Sequence, residues 1–287
     1  MIDLHSHSTA SDGMSSPAEA ARYAAEKGLS VWALTDHDTV AGLPEAAAVC
    51  RETGVVFVPG IEITVHWPTG EMHLLGHGLT HCSPELTALI AVLKKNRDER
   101  NCIIIEKMAD DGVQVTADEI KAFCGVEQLG RPHFADYLVH IGVVKNRQVA
   151  FDNYLSQGRP WYAVHQGADL DAAIAAILTS GGVPVLAHPL SLYVSWGKIE
   201  GVLADLVARG IQGMEAWHPG ARVSEAIRLE ELAHKLGCFV TAGSDFHGAG
   251  VRADRHLGRT SGDKKIDDRF WQDELLPHLP HFAGCRW

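Results

Sequence analysis

Histidine and carboxylate side chains recur at the ends of the apolar segments of this chain, at spacings that could bind divalent cations. His5 and His7, like Asp245 and His247, are separated by a single residue. Because alternate residues of a strand project from the same face, each pair can converge on one point. Histidine is the commonest metal ligand among side chains, and the chain has 17 in 287 residues. Further candidates at strand ends are Asp12, His37, Glu62, His73, His188, Glu215 and His218.

These side chains indicate a site with more than one metal ion. So many imidazoles and carboxylates could hardly be buried together without cations between them, because their desolvation is costly. Mixed nitrogen and oxygen ligands suit zinc, manganese or iron better than magnesium or calcium alone. Three divalent ions held by Asp12, Glu62 and Asp245 would leave an excess of positive charge. The sequence therefore predicts a pocket that attracts phosphate in a chain whose formal net charge is −11.

The apolar segments that carry these residues alternate with helical patterns, which is typical of βα units around a parallel sheet. The first helix has the clearest signals: Ser16 as N-cap, Pro17 at its first position, Glu19 to complete a capping box and Gly28 after its end. The predicted strands cover residues 2–7, 30–35, 55–63, 73–78, 183–188, 213–217 and 239–244. Further helices are predicted over residues 46–53, 169–179, 202–209 and 224–236.

About a hundred residues separate the fourth predicted strand from the fifth, which is too long for a loop in a compact domain. Within this stretch the sequence predicts a long helix over residues 83–111 and shorter helices over residues 116–123, 132–141 and 149–157. We therefore expect an α/β fold in which a βα barrel, residues 1–80 and 166–287, carries a mostly helical insertion, residues 81–165.

Composition excludes several classes of protein. With 46% hydrophobic and 21% charged residues the chain should fold, and it has no apolar run near the roughly 20 residues that span a bilayer. The N-terminus lacks the features of a secretion signal, so we expect a cytoplasmic protein without a membrane partner. The excess of acidic over basic residues argues against non-specific electrostatic binding to nucleic acid. Six widely spaced cysteines, with no C-x-x-C pair, imply neither a zinc knuckle nor a disulfide framework.

An ordered set of short motifs resembles the polymerase and histidinol phosphatase (PHP) family. The motifs are H-x-H at residues 5–7, T-D-H-D at 35–38, G-I-E at 60–62, A-H-P at 187–189 and S-D-F-H at 244–247. The resemblance implies a distorted seven-stranded βα barrel, a trinuclear metal site and phosphoesterase chemistry. The helical insertion and the sequence G-R-P-H-F at residues 130–134 resemble the branch of 3′,5′-nucleoside bisphosphate phosphatases, which includes 5′-to-3′ exoribonucleases acting on short RNA.

The resemblance also implies which residues bind the ions. The first ion would be held by His5, His7, Glu62 and Asp245, the second by Glu62, His73 and His188, and the third by Asp12, His37 and His247. Mn²⁺ is the expected metal, with Zn²⁺, Fe²⁺ and Mg²⁺ as alternatives. Two positions stay open, because His133 competes with His188 and His77 competes with His73. Asp36 and Asp38 are interpreted as groups that orient ligands by hydrogen bonds, with direct ligation as the alternative.

Substrate contacts are predicted mainly around the start of the insertion's third helix. Arg131 can bind a phosphate through both arms of its guanidinium, and Arg159 is a second candidate. Phe134, Trp161 and Tyr162 are either stacking partners for a base or core residues. The predicted substrate-binding residues are Asp12, Arg131, Pro132, His133, Phe134 and Arg159, and the predicted catalytic residues are Glu62, His218 and His133. Either His218 or His133 would supply the proton for the leaving oxygen.

These observations predict a metal-dependent phosphatase that removes the 3′-phosphate of nucleoside 3′,5′-bisphosphates such as 3′-phosphoadenosine 5′-phosphate. Its partner is then a small nucleotide, or a short RNA, and no obligate protein partner is implied. Three alternatives stay open: an exonuclease on short RNA, a histidinol phosphate phosphatase, and a scaffold module without catalysis. The intact set of ligands disfavours the scaffold, because a module that only binds would be expected to have lost some of them.

Overall fold

Seven strands form one sheet in which each strand pairs with its neighbour in sequence. The computed structural model describes residues 1–164, 166–249, 251–252, 254–279, 282 and 287. The strands are β1 (Ile2–Asp3), β2 (Val31–Leu34), β3 (Val56–Val65), β4 (Met72–His77), β5 (Val183–Leu186), β6 (Gly213–Trp217) and β7 (Phe239–Ala242). A separate pair, β8 (Arg259–Thr260) and β9 (Lys264–Lys265), follows them. All seven predicted strands are confirmed, although β1, β2, β5 and β7 are shorter than expected.

The two edges of the sheet meet, so the sheet is a nearly closed barrel. Beyond the regular strands, the backbone N–H of Asp245 donates to the carbonyl oxygen of His5 at 3.0 Å. The N–H of His7 donates to the carbonyl oxygen of Phe246 at 2.8 Å, and the N–H of Leu4 donates to that of Ala242 at 3.3 Å. The segment after β7 is therefore fixed beside the segment after β1, and these two segments carry four of the predicted ligands.

The expected pattern of βα units around a parallel sheet does not extend to β4. This strand pairs antiparallel with β3, from Gly60 opposite His77 to Val65 opposite Met72, and antiparallel with β5. The physical reason is the connection of six residues, 66–71, which is too short for the crossover that a parallel pair requires. Reversal of β4 brings its first residues, including His73, to the end of the barrel where the other strands finish.

The helices are α1 (Pro17–Glu26), α2 (Leu43–Thr53), α3 (Pro84–Asp110), α4 (Ala117–Cys124), α5 (Arg131–His140), α6 (Arg147–Ala150), α7 (Leu170–Thr179), α8 (Ile199–Ala208) and α9 (Val223–Lys235). The predicted capping box of α1 is confirmed, since the Ser16 hydroxyl accepts from the Glu19 N–H and the Glu19 carboxylate accepts from the Ser16 N–H. Helix α2 begins three residues earlier than predicted, because Pro44 fits the first turn of a helix. No helix in the described part of the chain is long and apolar enough to span a bilayer.

Helices α3 to α6, with a π-helical continuation at Phe151–Leu155, lie between β4 and β5 as a mostly helical insertion. The insertion has an apolar core of its own, which includes Ile104, Met108 and Leu138. Leu86 and Leu93, in the first half of α3, pack instead in the core of the barrel. Helix α3 thus belongs to both cores and fixes the insertion on the barrel, while the domain boundaries at residues 80 and 165 stay a prediction.

Asp3 connects β1 to the other edge of the barrel. Its buried carboxylate accepts hydrogen bonds from the backbone N–H groups of His5 at 3.2 Å, Ser244 at 3.0 Å and Gly258 at 2.7 Å. Burial raises the pKa of this carboxyl to about 6, against the opposing effect of these donors. Three buried donors therefore depend on one side chain.

Replacement of Asp3 by alanine is expected to lower the free energy of unfolding by about 3 kcal/mol, because buried N–H groups lose their acceptor. Urea unfolding followed by circular dichroism measures the change. Asp98→Ala, at an exposed position of α3, is the control and should change stability by no more than about 0.5 kcal/mol. A loss below about 1 kcal/mol in Asp3→Ala would contradict this role for Asp3.

Candidate active site

The structure brings the nine predicted ligands together at one mouth of the barrel. Strands β1, β2, β3, β5 and β7 reach this mouth with their C-terminal ends, and β4 reaches it with its N-terminal end. The convergent side chains are His5, His7, Asp12, His37, Glu62, His73, His188, Asp245 and His247. The expectation that polar residues at these strand ends point to one site therefore agrees with the geometry.

Glu62 lies at the centre of this group and is fully buried. Nitrogens of five histidines lie 3.0 to 3.3 Å from its two oxygens, namely those of His5, His7 and His37 at Oε2, and those of His73 and His188 at Oε1. Each oxygen thus faces a different set of imidazoles. A carboxylate in this position can bridge two cations, as the family resemblance implies.

Two further carboxylates flank Glu62. Asp12 Oδ1 lies 3.2 Å from His247 Nε2, and Asp245 Oδ1 lies 3.4 Å from His7 Nε2 and 3.5 Å from His247 Nδ1. Three groups of side chains have ligand atoms within 4.8 Å of one another: His5, His7 and Asp245; His37, Glu62 and His73; and His7, Asp12, His37 and His247. These groups overlap with the three ion sites that the resemblance implies, but His7 and His37 are each shared between two groups.

Hydrogen bonds on the outer side of the histidines leave ring nitrogens free to bind cations. The Nδ1–H of His247 donates to the backbone oxygen of Asp245 at 2.9 Å, since a carbonyl oxygen only accepts. His5 Nδ1 lies 2.9 Å from the Glu215 carboxylate, so it is the protonated nitrogen of this ring. In both rings the other nitrogen, Nε2, faces the carboxylates of the site, which is the arrangement that metal-binding histidines usually have.

The donor set fits divalent cations. Glu62 Oε2 and His37 Nδ1 lie 3.0 Å apart, yet neither makes a hydrogen bond of ordinary geometry with the described residues. His5 Nε2 and His7 Nε2 face each other at 3.1 Å. Buried nitrogen and oxygen atoms that converge in this way, without satisfying one another, are what a cation between them would explain.

The protein alone gives the site strongly perturbed acid–base properties. Burial would raise the pKa of Glu62, but the surrounding histidines outweigh burial and hold it well below its usual range. The pKa of Asp245 is low for the same reason. For His73, burial opposes protonation and Glu62 favours it, and the result is a pKa raised to about 9. Burial dominates at His37, where it lowers the pKa to about 4.

Three further carboxylates hold the site in place. Asp36 accepts from the Ser8 N–H, the Ser8 hydroxyl and the Ser11 hydroxyl, each at 2.7 Å, and so fixes the loop after β1. Asp38 accepts from the Thr64 N–H and forms an ion pair with Arg97. These contacts agree with the interpretation of Asp36 and Asp38 as orienting groups.

Glu215 is the third of these carboxylates; the sequence placed it among the candidates for metal binding but assigned it to no ion. It lies in the middle of β6 and accepts from the His5 ring and from the His188 N–H at 3.0 Å. Its position in an otherwise apolar strand was the signal for its role.

A cavity of about 840 Å³ opens over the site, between the barrel and the insertion. Arg131 and Pro132 line it, as predicted, and Arg131 donates to Glu71 at 2.6 Å. Arg97 and Arg100, on α3, also line this cavity and were missed from the sequence. Their signal was the spacing of three residues on one helix, which puts both side chains on the same face. Burial lowers the pKa of Arg100 to about 9.

Three predicted substrate residues, His133, Phe134 and Arg159, are not among the described residues that line the cavity. Phe134 is fully buried in the core of the insertion, so the structure does not bring its ring to the cavity. Arg159 is exposed to solvent and lies outside the cavity lining among the described residues. Trp161 is buried and stacked on Tyr154, whereas Tyr162 does line the cavity. The orientation of the insertion decided which of these side chains face the site.

The two candidate proton donors have different environments. His218 lines the cavity, and its Nδ1 accepts from the Gly220 N–H at 3.0 Å. The proton of the neutral ring is therefore on Nε2, which lies 3.3 Å from Asp245 Oδ2. His133 is buried at the start of α5, where its Nδ1 accepts from the Gly130 N–H at 2.8 Å. Burial lowers the pKa of His133 to about 4.

His77, the alternative to His73, lies near the opposite end of β4. It is buried opposite Gly60, and burial lowers its pKa to about 3. His73, by contrast, lies at the start of β4 with its Nδ1 3.0 Å from Glu62 Oε1. The geometry favours His73 as the ligand.

Comparison with known proteins agrees with this arrangement. The PHP domain family model matches residues 3–155. A 5′-3′ exoribonuclease from Haemophilus influenzae is 36% identical over 85% of this chain and 89% of its own length. A 3′,5′-nucleoside bisphosphate phosphatase from Chromobacterium violaceum is 34% identical over 95% of both chains.

Two solved structures have the same fold. An amidohydrolase from Chromobacterium violaceum, solved with bound sulfate and no metal, has a TM-score of 0.85 at 34% identity over 95% of both chains. A metal-dependent phosphoesterase from Bifidobacterium adolescentis has a TM-score of 0.84 at 30% identity, and the match covers 96% of this chain and 95% of that one.

Addition of Mn²⁺ to metal-stripped protein is expected to raise the thermal midpoint, because an ion that binds only the folded state stabilises it by about 2.7 kcal/mol at 100 times its dissociation constant. Glu62→Gln should lose most of this shift, since Glu62 faces both sets of imidazoles. Differential scanning fluorimetry and elemental analysis measure the shift and the metal content.

Glu231→Gln, an identical change at an exposed position of α9, is the control and should keep the full shift. Wild-type protein that is fully active with one ion or fewer per chain would contradict a site of several ions. An unchanged shift in Glu62→Gln would place the bridging group elsewhere.

Proposed function

This chain belongs to the PHP family and is a metal-dependent phosphoesterase, and from this premise we propose that it removes the 3′-phosphate of nucleoside 3′,5′-bisphosphates. The observation that carries the proposal is the presence of two anion-binding features in one cavity. The ligand cluster forms its floor, and Arg97, Arg100 and Arg131 of the insertion form a separate cationic wall. A substrate with two phosphates on one nucleotide matches this pair of features.

The nine ligands around Glu62 would hold divalent ions at the floor of the cavity. When bound, such ions lower the pKa of water and neutralise charge on phosphoryl oxygens. The protein supplies orientation: Glu215 and the backbone of Asp245 fix the rings of His5 and His247. A ligand set that is positioned before substrate binds needs little reorganisation during the reaction.

His218 is the residue that we assign to the leaving oxygen. It lines the cavity, and its proton is on Nε2, the nitrogen that faces Asp245. This N–H can donate a hydrogen bond to the 3′-oxygen and stabilise the negative charge that develops on it as the bond to phosphorus breaks. His133 remains the alternative, although its Nδ1 is already occupied by the Gly130 N–H.

Arg131 is the anchor that we assign to the second phosphate. Its side chain is 25% exposed, it reaches the cavity from the start of α5, and its guanidinium lies 5.8 Å from the ring of Tyr162. Glu71 pairs with it from the connection between β3 and β4. A phosphate would displace the Glu71 carboxylate from Arg131 or bind beside it, because guanidinium binds phosphate with two parallel hydrogen bonds.

Exonucleolytic cleavage of short RNA is the second candidate, and the name of the Haemophilus influenzae relative favours it. Both reactions break the bond between phosphorus and the 3′-oxygen of a nucleotide that carries a 5′-phosphate. They differ only in whether the scissile phosphate is attached to a further nucleotide. Histidinol phosphate, the third candidate, has one phosphate and would leave the cationic wall without a partner.

Arg131→Ala is expected to lower kcat/KM for 3′-phosphoadenosine 5′-phosphate. The loss of transition-state stabilisation should be about 1.5 to 3 kcal/mol, the value of a hydrogen bond to a charged group. Hydrolysis of 3′-AMP, which lacks the anchoring phosphate, should change little. Phosphate release measures both. Arg209→Ala is the matched control, since Arg209 also pairs with a surface carboxylate but lies between α8 and β6, at the other end of the barrel.

Equal losses on both substrates would mean that Arg131 acts on the reacting phosphate or stabilises the fold. A wild-type preference for histidinol phosphate over the bisphosphate would refute the proposed substrate while leaving the family unaffected.

His218→Ala is expected to lower kcat for the bisphosphate about 100-fold, the order of the loss when one hydrogen-bond donor to a developing oxyanion is removed. The loss should be much smaller with 4-nitrophenyl phosphate, whose leaving oxygen is a weak base and needs no proton. Steady-state kinetics on both substrates measure the difference. The same leaving-group dependence in His133→Ala, and not in His218→Ala, would assign the stabilisation of the leaving oxygen to His133 instead.

A further inference from the structure

The segment that follows β5 turns back on His188, one of the candidate ligands. Residues Pro189–Leu192 form a short 3₁₀ turn, and the N–H of Ser191 donates to the carbonyl oxygen of His188 at 2.9 Å. Side chains three residues apart lie one above the other in such a turn. The hydroxyl of Ser191 therefore comes back to the His188 ring, where its Oγ lies 2.8 Å from Nδ1.

The same hydroxyl also contacts the connection between β3 and β4. Ser191 Oγ donates to the carbonyl oxygen of Glu71 at 2.8 Å, and the Glu71 N–H donates to the carbonyl oxygen of Ser191 at 2.9 Å. Gly70 permits this close approach, because a Cβ atom at residue 70 would overlap the carbonyl oxygen of Ser191. The connection is thus held against the turn by two reciprocal hydrogen bonds.

These two contacts of the Ser191 hydroxyl determine the direction of its hydrogen bond with His188. A serine hydroxyl has one proton to donate and lone pairs that accept. Because the carbonyl oxygen of Glu71 only accepts, the Ser191 proton is directed at Glu71, and the hydroxyl accepts from the Nδ1–H of His188. Nε2 is then the nitrogen left to bind a cation, and it lies 3.1 Å from Oε1 of Glu62.

The backbone of His188 is fixed independently of Ser191. Its φ of 28° lies in the left-handed region, and its N–H donates to the Glu215 carboxylate at 3.0 Å. Rotation of the imidazole depends instead on the contacts of its two nitrogens, with Ser191 at Nδ1 and Glu62 at Nε2. When a cation lies between Nε2 and Glu62, the hydrogen bond that still orients the ring is the one with Ser191.

We propose that Ser191 is a positioning residue for metal binding, which accepts from Nδ1 of His188 and so directs Nε2 toward Glu62 and the cation that both would bind. Ser191 acts through His188 and touches neither the ion nor the substrate. Its hydrogen bond to Glu71, whose carboxylate pairs with Arg131 at 2.6 Å, also joins the metal site to the anchor assigned to the second phosphate. Only this last connection rests on the proposed function.

Ser191→Ala removes the acceptor of His188 and leaves the backbone contacts of the turn. The dissociation constant of Mn²⁺ should rise about 10- to 100-fold, the usual cost of losing an outer hydrogen bond of a metal-binding histidine. Isothermal titration calorimetry of the metal-stripped protein measures this affinity. Elemental analysis after gel filtration should find one ion per chain fewer than in the wild type. The thermal midpoint of the metal-stripped variant should fall by no more than about 3 °C, the shift expected for one hydrogen bond.

Two matched variants separate positioning of His188 from a general effect on the fold. Ser191→Thr keeps a hydroxyl at this position and should restore the wild-type affinity for Mn²⁺. Ser195→Ala makes the same change at an exposed position after the turn and should behave as wild type. When the Mn²⁺ concentration exceeds the new dissociation constant, Ser191→Ala should regain the wild-type kcat on 4-nitrophenyl phosphate, because Ser191 takes no part in the reaction itself.

An unchanged affinity for Mn²⁺ in Ser191→Ala would overturn the proposal, and so would a loss that Ser191→Thr does not restore. A large fall in the thermal midpoint of metal-stripped Ser191→Ala would assign Ser191 to the stability of the fold and overturn its role in positioning. If Mn²⁺ binding depends on Ser191 while the wild type does not hydrolyse the bisphosphate, the role of Ser191 stands and the proposed phosphatase function fails.

Discussion

The burial of Glu62 among five imidazoles is the constraint on which the rest of this structure depends. A carboxylate removed from water loses hydration that only nearby charge or donors can replace. The histidine nitrogens supply part of that replacement, and their own burial is tolerated because Glu62, Asp12 and Asp245 are close. Removal of any one member leaves its neighbours uncompensated. The cluster is therefore a cooperative unit that divalent cations would complete.

The barrel meets this constraint by bringing chain segments from seven strands to one mouth and holding them with a second set of carboxylates. Asp3, Asp36 and Glu215 each accept two or more hydrogen bonds from groups next to the ligands. These acceptors sit where backbone N–H groups leave the regular sheet and have no strand partner. The same residues thus satisfy the buried backbone and fix the ligands, so the stability of the fold and the geometry of the site have a common origin.

Much of this arrangement could be predicted from the sequence, because its signals are local. An apolar strand followed by a polar residue indicated the candidate ligands, and the sequence from Ser16 to Glu19 identified the start of α1. The antiparallel direction of β4 was not predicted, since an apolar pattern indicates a strand but not its direction. Phe134 and Arg159 illustrate a second limit. Which face of the insertion meets the barrel is decided by packing between distant segments, and no local pattern encodes it.

Helix α3 explains how the insertion can affect chemistry at the barrel mouth. It has 27 residues, its first half packs in the barrel core, and its second half packs in the insertion core. Between these halves Arg97 pairs with Asp38, directly after the candidate ligand His37, while Arg100 lines the cavity. A rigid helix anchored at both ends keeps the cationic wall at a fixed separation from the ligand cluster. Under the proposed function, this separation selects substrates by the spacing of their phosphates. The relatives named as a phosphatase and as an exoribonuclease can then have one metal chemistry and differ in what surrounds it.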